Sequence, residues 1–275
     1  MSRSLSSSLT IVSAFPIIHS MIAFSLQSGS NGNCIYVETR GVKLLFDAGI
    51  NGLQAEKKLA SRGRNIRDVD AVIISHDHGD HIRYAGVYQR KYGLPLYVTK
   101  KTLDTAIKRH PLGKVHDVRY FQSDGVISFK KVSVRAIPTP HDSADGAAFV
   151  ITFGNKRLGI MTDLGHVFDG LGDVISTLDA VFIESNYDPD MLAKGNYPAF
   201  LKKRIRGPEG HLSNIESAEL LRDASSGNLR WACLVHLSGH NNNPSLAIQT
   251  HRRIIHSRLP LYIAGRYASS DIFRV

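Results

Sequence analysis

The stretch Ser75-His76-Asp77-His78-Gly79-Asp80-His81 decides how this sequence is interpreted. It follows Val69-Asp-Ala-Val-Ile-Ile74, an apolar segment with the length and β-branched content of a buried strand. At the end of a strand, two histidines separated by one residue point to the same side, and the glycine lets the chain turn back. Imidazole and carboxylate groups together suit Zn²⁺ and similar metals. A solvated polar loop would not need to follow a buried strand, so the stretch predicts a two-metal site.

The composition of the 275 residues is that of a globular protein with a basic surface. It is 43% hydrophobic and 21% charged, which argues against extended disorder, and the net charge of +10 favours a polyanionic partner such as nucleic acid. The two cysteines, Cys34 and Cys233, lie in strand-like segments and form no CxxC pair. We expect them to be buried, reduced thiols, as in a cytoplasmic protein.

The first twenty residues differ from the rest of the chain. They are rich in serine, Pro16 interrupts their apolar part, and no stretch reaches the 18 apolar residues of a membrane span. We therefore expect residues 1–20 to be a dispensable extension, residues 21–275 to form a single hydrolase domain, and the protein to have no membrane partner.

Strand-like and helix-like segments alternate along the chain, and two parts of the pattern are similar. Lys43–Gly49, a helix and Val69–Ser75 are followed later by Leu158–Gly165, a helix and Leu178–Glu184. Chance similarity between apolar strands is one explanation. The other is two related halves packed face to face, which predicts an α/β fold, a four-layer αββα sandwich with the site at the shared edge of the sheets.

A two-metal site needs more ligands, and the ends of later strands supply candidates. His141 follows the strand-like segment Val132–Ile137, Asp163 follows Leu158–Met161, and His236 closes a strand-like segment that begins at Trp231. Asp163 could bridge two ions because a carboxylate can bind one with each oxygen. Each residue alone could be an ordinary polar side chain, but together with the histidine stretch they predict one joint site.

These residues resemble the motifs of a known family. His76-x-His78-x-Asp80-His81, with Asp47, His141, Asp163 and His236 in that order, is similar to the five motifs of the metallo-β-lactamase superfamily across residues 22–265. Within that superfamily the chain resembles the YycJ (WalJ/VicX) family of DNA exonucleases. The segments that carry this resemblance are Ser28–Asn33, Ile183–Asp188, Gly210–Asn214, His236–Ser238 and Asn242–Pro244.

The resemblance implies a role for each matching residue. One metal would be held by His76, His78 and His141. The other would be held by Asp80, His81 and His236, with Asp80 also taking part in catalysis. Asp163 would bridge the two metals, and Asp47 would hydrogen-bond a ligand. Two divalent ions per chain are implied, and Zn²⁺, Mn²⁺ and Fe remain open.

A second pair of residues is similar to a pair in the tRNA 3′-processing endonucleases of the superfamily. Glu184 ends a strand-like segment, and His211 stands in Gly-His-Leu-Ser-Asn. By that similarity His211 would protonate the leaving oxygen and Glu184 would orient His211, which matters because a ribose is a poor leaving group. The alternative is that His211 merely precedes a helix.

A basic stretch lies between these two residues, on a helix expected over Asp190–Arg206. Its cations could bind backbone phosphates or simply form a solvated helix face, and both interpretations stay open. Three asparagines from the family motifs could also line the site. The candidate substrate-binding residues are Lys202, Lys203, Arg204, Arg206, Asn31, Asn33 and Asn186.

The function that fits these observations is metal-dependent hydrolysis of phosphodiesters, and the resemblance to the YycJ family implies a 5′-to-3′ DNA exonuclease with a binuclear metal centre. One alternative is an RNA-processing nuclease, although no long insertion is present that could grip tRNA. Others are a small-molecule thioester, ester or lactone hydrolase and a non-enzymatic metal-binding module. The aspartate at position 163 argues against β-lactamase activity, and the oligomeric state stays open.

Overall fold

The computed structural model of the protein describes residues 21–224, 228–256 and 258–275, so the expectation for residues 1–20 lies outside the described residues. The strands are β1 (Met21–Gln27), β2 (Cys34–Thr39), β3 (Val42–Phe46), β4 (Ala71–Ile73), β5 (Leu96–Val98), β6 (Val118–Tyr120), β7 (Val126–Phe129), β8 (Val132–Pro138), β9 (Ala147–Phe153), β10 (Lys156–Met161), β11 (Ala180–Glu184), β12 (Trp231–Val235), β13 (Leu261–Ile263) and β14 (Phe273–Arg274). The helices are α1 (Gly52–Ala60), α2 (Gly79–Ile82), α3 (Ala85–Tyr92), α4 (Lys100–Arg109), α5 (Leu171–Ser176), α6 (Pro189–Lys194), α7 (Ala199–Arg206), α8 (Asn214–Ala224) and α9 (Pro244–Ile255).

Two seven-stranded sheets pack face to face. Their strand orders are β14-β1-β2-β3-β4-β5-β6 and β13-β12-β11-β10-β9-β8-β7. Because side chains alternate along a strand, Leu44 and Phe46 of β3 enter the core between the sheets, whereas Leu45 packs with α1, α3 and α4 on the outer face. The second sheet likewise packs its outer face against α5, α8 and α9. The predicted four-layer αββα sandwich is confirmed.

The two related halves of the sequence occupy matching places in the two sheets. In the first, the β2–β3 hairpin leads through Asp47 and α1 to β4, which pairs parallel with β3. In the second, the β9–β10 hairpin leads through Asp163 and α5 to β11, which pairs parallel with β10. Asp47 and Asp163 both have left-handed backbone, with φ of 66° and 53°. Each aspartate therefore stands where its hairpin turns toward a helix, at the same edge of the sandwich.

The prediction of one helix over Asp190–Arg206 is wrong, because the chain forms two helices there, α6 and α7. Gly195 ends α6, and Pro198 precedes α7, where its ring and missing N–H prevent one continuous helix. This α6–α7 segment (residues 187–206) has a small apolar cluster separate from the main cores. The cluster contains Tyr187, Leu192 and Ile205, with Tyr197 and Leu201 packed against it.

Cys34 and Cys233 are both buried, free thiols, as expected. Throughout the part of the chain that the structure describes, no helix combines the length and apolar character needed to cross a membrane.

Candidate metal centre

The predicted ligands come together because the strands that precede them end at one edge of the sandwich. Ser75 to His81 follow β4, His141 follows β8, Asp163 follows β10 and His236 follows β12. The chain also crosses itself closely here: a Cβ at Gly49 would lie 1.7 Å from the carbonyl oxygen of Asp80, so only glycine fits. We call the residues brought together the ligand cluster, and its members are His76, His78, Asp80, His81, His141, Asp163 and His236.

His76, His78 and His141 form one group, with ligand atoms within 4.8 Å of one another. The Nδ1 of His141 bonds the carbonyl oxygen of Gly210 at 2.8 Å, and the Nε2 of His78 bonds that of Asp142 at 3.2 Å. These bonds use one nitrogen of each ring as a donor. The other two, Nε2 of His141 and Nδ1 of His78, face each other at 3.3 Å and are the atoms that could bind a metal.

Asp80, His81 and His236 form a second group within the same distance limit. The Oδ2 of Asp80 lies 3.5 Å from Nε2 of His81 and 3.4 Å from Nε2 of His236. Asp163 lies between the two groups. Its Oδ2 is 3.1 Å from Nε2 of His81, and its Oδ1 is 3.6 Å from Nε2 of His141. Its Oδ1 also lies 3.3 Å from Nδ1 of His236, so the carboxylate contacts residues of both groups.

The donor atoms of the cluster fit a divalent metal. Among the described residues, Nε2 of His76 is buried yet has no hydrogen-bond partner, and Oδ2 of Asp163 is buried with only its 3.1 Å ion pair to Nε2 of His81. An unpaired buried polar atom destabilises a fold unless something else binds it. Both atoms face the other imidazole and carboxylate groups of the cluster, which is the donor chemistry of Zn²⁺ and related ions.

Ser75, which had no predicted role in the site, orients two ligands together with Asp47. The Oγ of Ser75 lies 2.9 Å from Nδ1 of His76 and 3.0 Å from Oδ2 of Asp47. The same carboxylate oxygen lies 2.7 Å from Nδ1 of His81. Asp47 therefore holds His81 directly and His76 through the serine hydroxyl, which turns Nε2 of both rings toward the rest of the ligand cluster. The signal in the sequence was a hydroxyl residue next to the first ligand.

Asp77, the remaining polar residue of the histidine stretch, also had no predicted role. It is fully buried, and its two oxygens bond Arg109 and the backbone N–H of Ala144, the latter at 2.8 Å. It thereby ties the histidine stretch to α4 and to the loop that carries His141.

The three predicted asparagines lie in different surroundings. Asn33 is buried below the cluster, with Nδ2 at 2.9 Å from Nε2 of His81 and 3.3 Å from Oδ2 of Asp80. Asn186 lines the cleft and donates to the carbonyl oxygen of His236 at 2.9 Å. Asn31 is exposed at the rim, where it bonds the backbone of Arg266. Asn33 is therefore placed to orient ligands and not to contact a substrate.

Glu184 and His211 form a direct pair beside the ligand cluster. A bridge between Tyr187 and Ser213 brings the chain after β11 against the His211 loop. The Nδ1 of His211 then lies 2.7 Å from Oε1 of Glu184, whose Oε2 accepts from the backbone N–H of Leu164 at 3.0 Å. One possible ligand atom of each of Glu184 and His211 also lies within 4.8 Å of such atoms of Asp163 and His236, so the geometry allows the pair to serve as metal ligands.

Opposite charges control the ionisation of the cluster. Burial lowers the pKa of His81, but Asp163 and Asp47 outweigh burial and raise it well above its ordinary value. Burial lowers the pKa of His236 as well, but Asp163, together with Asp80 and Glu184, outweighs burial and raises it to about 10. Burial and the charge of His81 lower the pKa of His76. A divalent cation would compete with the protons on His81 and His236, so metal binding would release protons.

A cleft of about 390 Å³ opens above the cluster. Of the four predicted cations of α7, only Arg204 lines it, and Arg204 is paired with Asp142. Lys202 donates to the carbonyl oxygen of Ala193 at 2.7 Å, whereas Lys203 and Arg206 are exposed outside the cleft lining. The residues that line the cleft are Ser30, His78, Gly79, Asp80, Arg109, His110, Asp163, Asn186, Tyr197, Leu201, Arg204, Ile205, His211, His236 and Ser238.

Comparison with known proteins identifies the family of this chain. A family model described as a β-lactamase superfamily domain matches residues 43–237. Exodeoxyribonuclease YycJ of Bacillus anthracis is 37% identical over 224 residues, which are 81% of this chain and 84% of that protein. Exodeoxyribonuclease WalJ of Streptococcus pneumoniae is 35% identical over 227 residues, 82% of this chain and 84% of that protein.

The fold agrees with these matches. The crystal structure of the metallo-β-lactamase fold protein YhfI from Bacillus subtilis superimposes with a TM-score of 0.72 at 18% identity, covering 94% of this chain and 100% of that one. The chain belongs to the metallo-β-lactamase superfamily, in the family of the YycJ and WalJ exodeoxyribonucleases.

Proposed function

We propose that this protein is a metal-dependent exodeoxyribonuclease that degrades DNA from the 5′ end with two divalent metal ions. The names of its YycJ and WalJ relatives support the reaction, and the donor chemistry of the ligand cluster supports the metals. His76, His78 and His141 would hold one ion, and Asp80, His81 and His236 the other, with Asp163 between them. Bound there, the metals supply Lewis acidity and lower the pKa of a bound water.

The observation that carries the proposal is the pairing of His211 with Glu184 at the cleft. Burial raises the pKa of Glu184, but His211 and His236 outweigh burial and lower it, so the carboxylate is ionised. An ionised Glu184 accepts a hydrogen bond from Nδ1 of His211 and fixes the ring. Because His211 lines the cleft, Nε2 is the ring nitrogen available to donate a proton to a leaving ribose oxygen. A phosphodiester needs such an acid, whereas an activated thioester does not.

End-labelled single-stranded and duplex DNA, and RNA of the same sequence, test the substrate directly. With Zn²⁺ or Mn²⁺ added, we expect mononucleotides to be released from DNA, with the 5′ label freed first. Cleavage of RNA alone would instead favour an RNA-processing nuclease. Turnover of thioesters or lactones, with intact nucleic acids, would favour a small-molecule hydrolase.

Substitution of His211 tests the acid. His211→Ala is expected to keep its metal content and to lose roughly 10²–10⁴-fold in turnover on DNA. The loss should be smaller on bis(4-nitrophenyl) phosphate, whose leaving group needs little protonation. His116→Ala is the matched control, because His116 is exposed and does not line the cleft. Equal losses on both substrates would argue against acid catalysis, and a loss of metal would indicate that His211 is a ligand.

A further inference from the structure

The cleft has two walls of different chemistry above the ligand cluster. The α6–α7 segment contributes Tyr197, Leu201 and Ile205, which are mostly apolar, while the end of α4 contributes Arg109 and His110. A cleft of about 390 Å³ lies at the lower end of the size range of sites that enclose small molecules. One nucleotide has matching chemistry, with a flat apolar base on one side and anionic phosphate on the other.

Tyr197 is held in place before any ligand binds. Its ring packs against the small apolar cluster of the α6–α7 segment, and its centroid lies 5.8 Å from that of His240. The side chain is only half-buried and lines the cleft, so part of the ring stays accessible. Aromatic rings presented in this way are the usual platforms on which unpaired bases stack.

Arg109 and Arg204 are held by carboxylates that lie close together. The buried Asp77 bonds one nitrogen of Arg109 and also the backbone of Ala144, while Asp142 bonds two nitrogens of Arg204. A guanidinium has five N–H donors, so both arginines keep donors for phosphate oxygens. Asp142 and Ala144 lie in the loop just after His141, which places both arginines next to the predicted metal-binding residues.

We infer that this cleft binds the unpaired terminal nucleotide of a single-stranded DNA end, with its base on Tyr197 and its phosphates on Arg109 and Arg204. The inference rests on the proposed function and adds the form of DNA that is bound. In a duplex, even the open face of the terminal base belongs to a base pair, and a cleft of about 390 Å³ has room for one nucleotide and not for a pair. A single base therefore reaches Tyr197 only where the end is single-stranded or frayed. The α6–α7 segment is then the part of the fold that selects the substrate.

Two substitutions at position 197 test the inference without removing the packing of the side chain. Tyr197→Phe keeps the aromatic ring and is expected to keep the wild-type KM for single-stranded DNA. Tyr197→Leu keeps the apolar packing but has no ring, and its KM is expected to rise roughly 5- to 150-fold, the range that base stacking provides. Its loss on bis(4-nitrophenyl) phosphate, which has no base, should be smaller. Tyr120→Ala, an exposed tyrosine of β6 outside the cleft, is the control.

The outcomes separate this inference from the proposed function. A wild-type protein that cleaves single-stranded DNA faster than blunt duplex, with Leu and Phe variants that differ in KM, supports the inference. Equal KM values for the two variants, or a preference for blunt duplex, would overturn it while leaving the exonuclease activity intact. A wild-type protein that hydrolyses bis(4-nitrophenyl) phosphate but no nucleic acid would overturn the proposed function and this inference together.

Discussion

Removing the hydroxyl of Ser75 should weaken metal binding without touching a ligand. The hydroxyl is buried between Nδ1 of His76 and Oδ2 of Asp47, at 2.9 and 3.0 Å. With Nε2 of His76 directed at the metal, Nδ1 carries the proton and donates it to Ser75, whose own hydrogen goes to Asp47. In Ser75→Ala the imidazole loses this acceptor, and the ring is free to turn or to adopt the other tautomer.

The structure sets the size of the effect. One buried hydroxyl that joins two groups is removed, and leaving such a partner unpaired costs about 1–3 kcal/mol. Loss of a partner that orients a ligand usually weakens metal binding about 10- to 100-fold, or roughly 1.4–2.8 kcal/mol, which agrees with that cost. His81 keeps its direct 2.7 Å bond to Asp47, so the weakening should concern the ion bound by His76.

Competition titrations of Zn²⁺ against a coloured chelator, at fixed pH, measure the affinity of wild type and Ser75→Ala. Ser75→Thr keeps the hydroxyl and should retain most of the affinity. The matched control is Ser217→Ala, because Ser217 is equally buried and its Oγ lies 3.1 Å from Nε2 of His251, a histidine outside the ligand cluster. An unchanged affinity in Ser75→Ala, or the same loss in Ser217→Ala, would refute the reasoning.

Three further predictions concern other parts of the chain. Arg204→Ala should weaken the binding of single-stranded DNA and lower the log–log slope of affinity against salt by about 0.7 for each phosphate that the variant no longer neutralises. Lys203→Ala, on the same helix, should leave the affinity and the slope close to wild type. Binding isotherms at several salt concentrations compare the two variants, and equal slopes would exclude a phosphate bound to Arg204. Burial lowers the pKa of His251 from 6.5 to about 4, so as the pH falls the unfolded chain protonates this histidine before the folded chain does. The stability that depends on a neutral His251 is therefore fully present above pH 6.5 and is lost as pH falls toward 4. His251→Gln should remove up to about 3 kcal/mol of this pH dependence in denaturant titrations, and a slope unchanged from wild type would contradict the assignment. A chain that starts at Met21 should keep its Tm and its nuclease activity; a large loss of either would show that residues 1–20 stabilise the domain.

The ligand cluster could be anticipated because its residues have a local signature. Each candidate follows an apolar strand, and strands that lead into the same edge of a sandwich bring such residues together regardless of their distance in sequence. The placement of His141, Asp163 and His236 at strand ends is therefore enough to predict one site with the histidine stretch. The roles assigned to these residues remain predictions.

The residues that support the cluster could not be anticipated in the same way. Asp77 bonds Arg109, 32 residues away, and Ala144, 67 residues away, and no periodicity in the sequence indicates such pairings. The four cations of α7 look alike as a sequence, yet they differ in their surroundings. The sequence does indicate which of the four faces the cleft. Arg204 and Ile205 follow Leu201 by three and four positions, which is the spacing of residues on one helix face.

The left-handed backbone conformations in the site lower the stability of the fold at residues that carry functional side chains. Asp47, Asp163 and His236 all have positive φ, between 53° and 66°, which costs a residue with a Cβ of order 1–3 kcal/mol when the surroundings impose it. Glycine would adopt these conformations freely, but it would bring no carboxylate or imidazole. The fold therefore retains conformational energy at three positions of the candidate site, where the side chain has a predicted role. Glycine there would relieve the backbone, but it would also remove the groups that hold Ser75 and His81 in place and that surround the cleft.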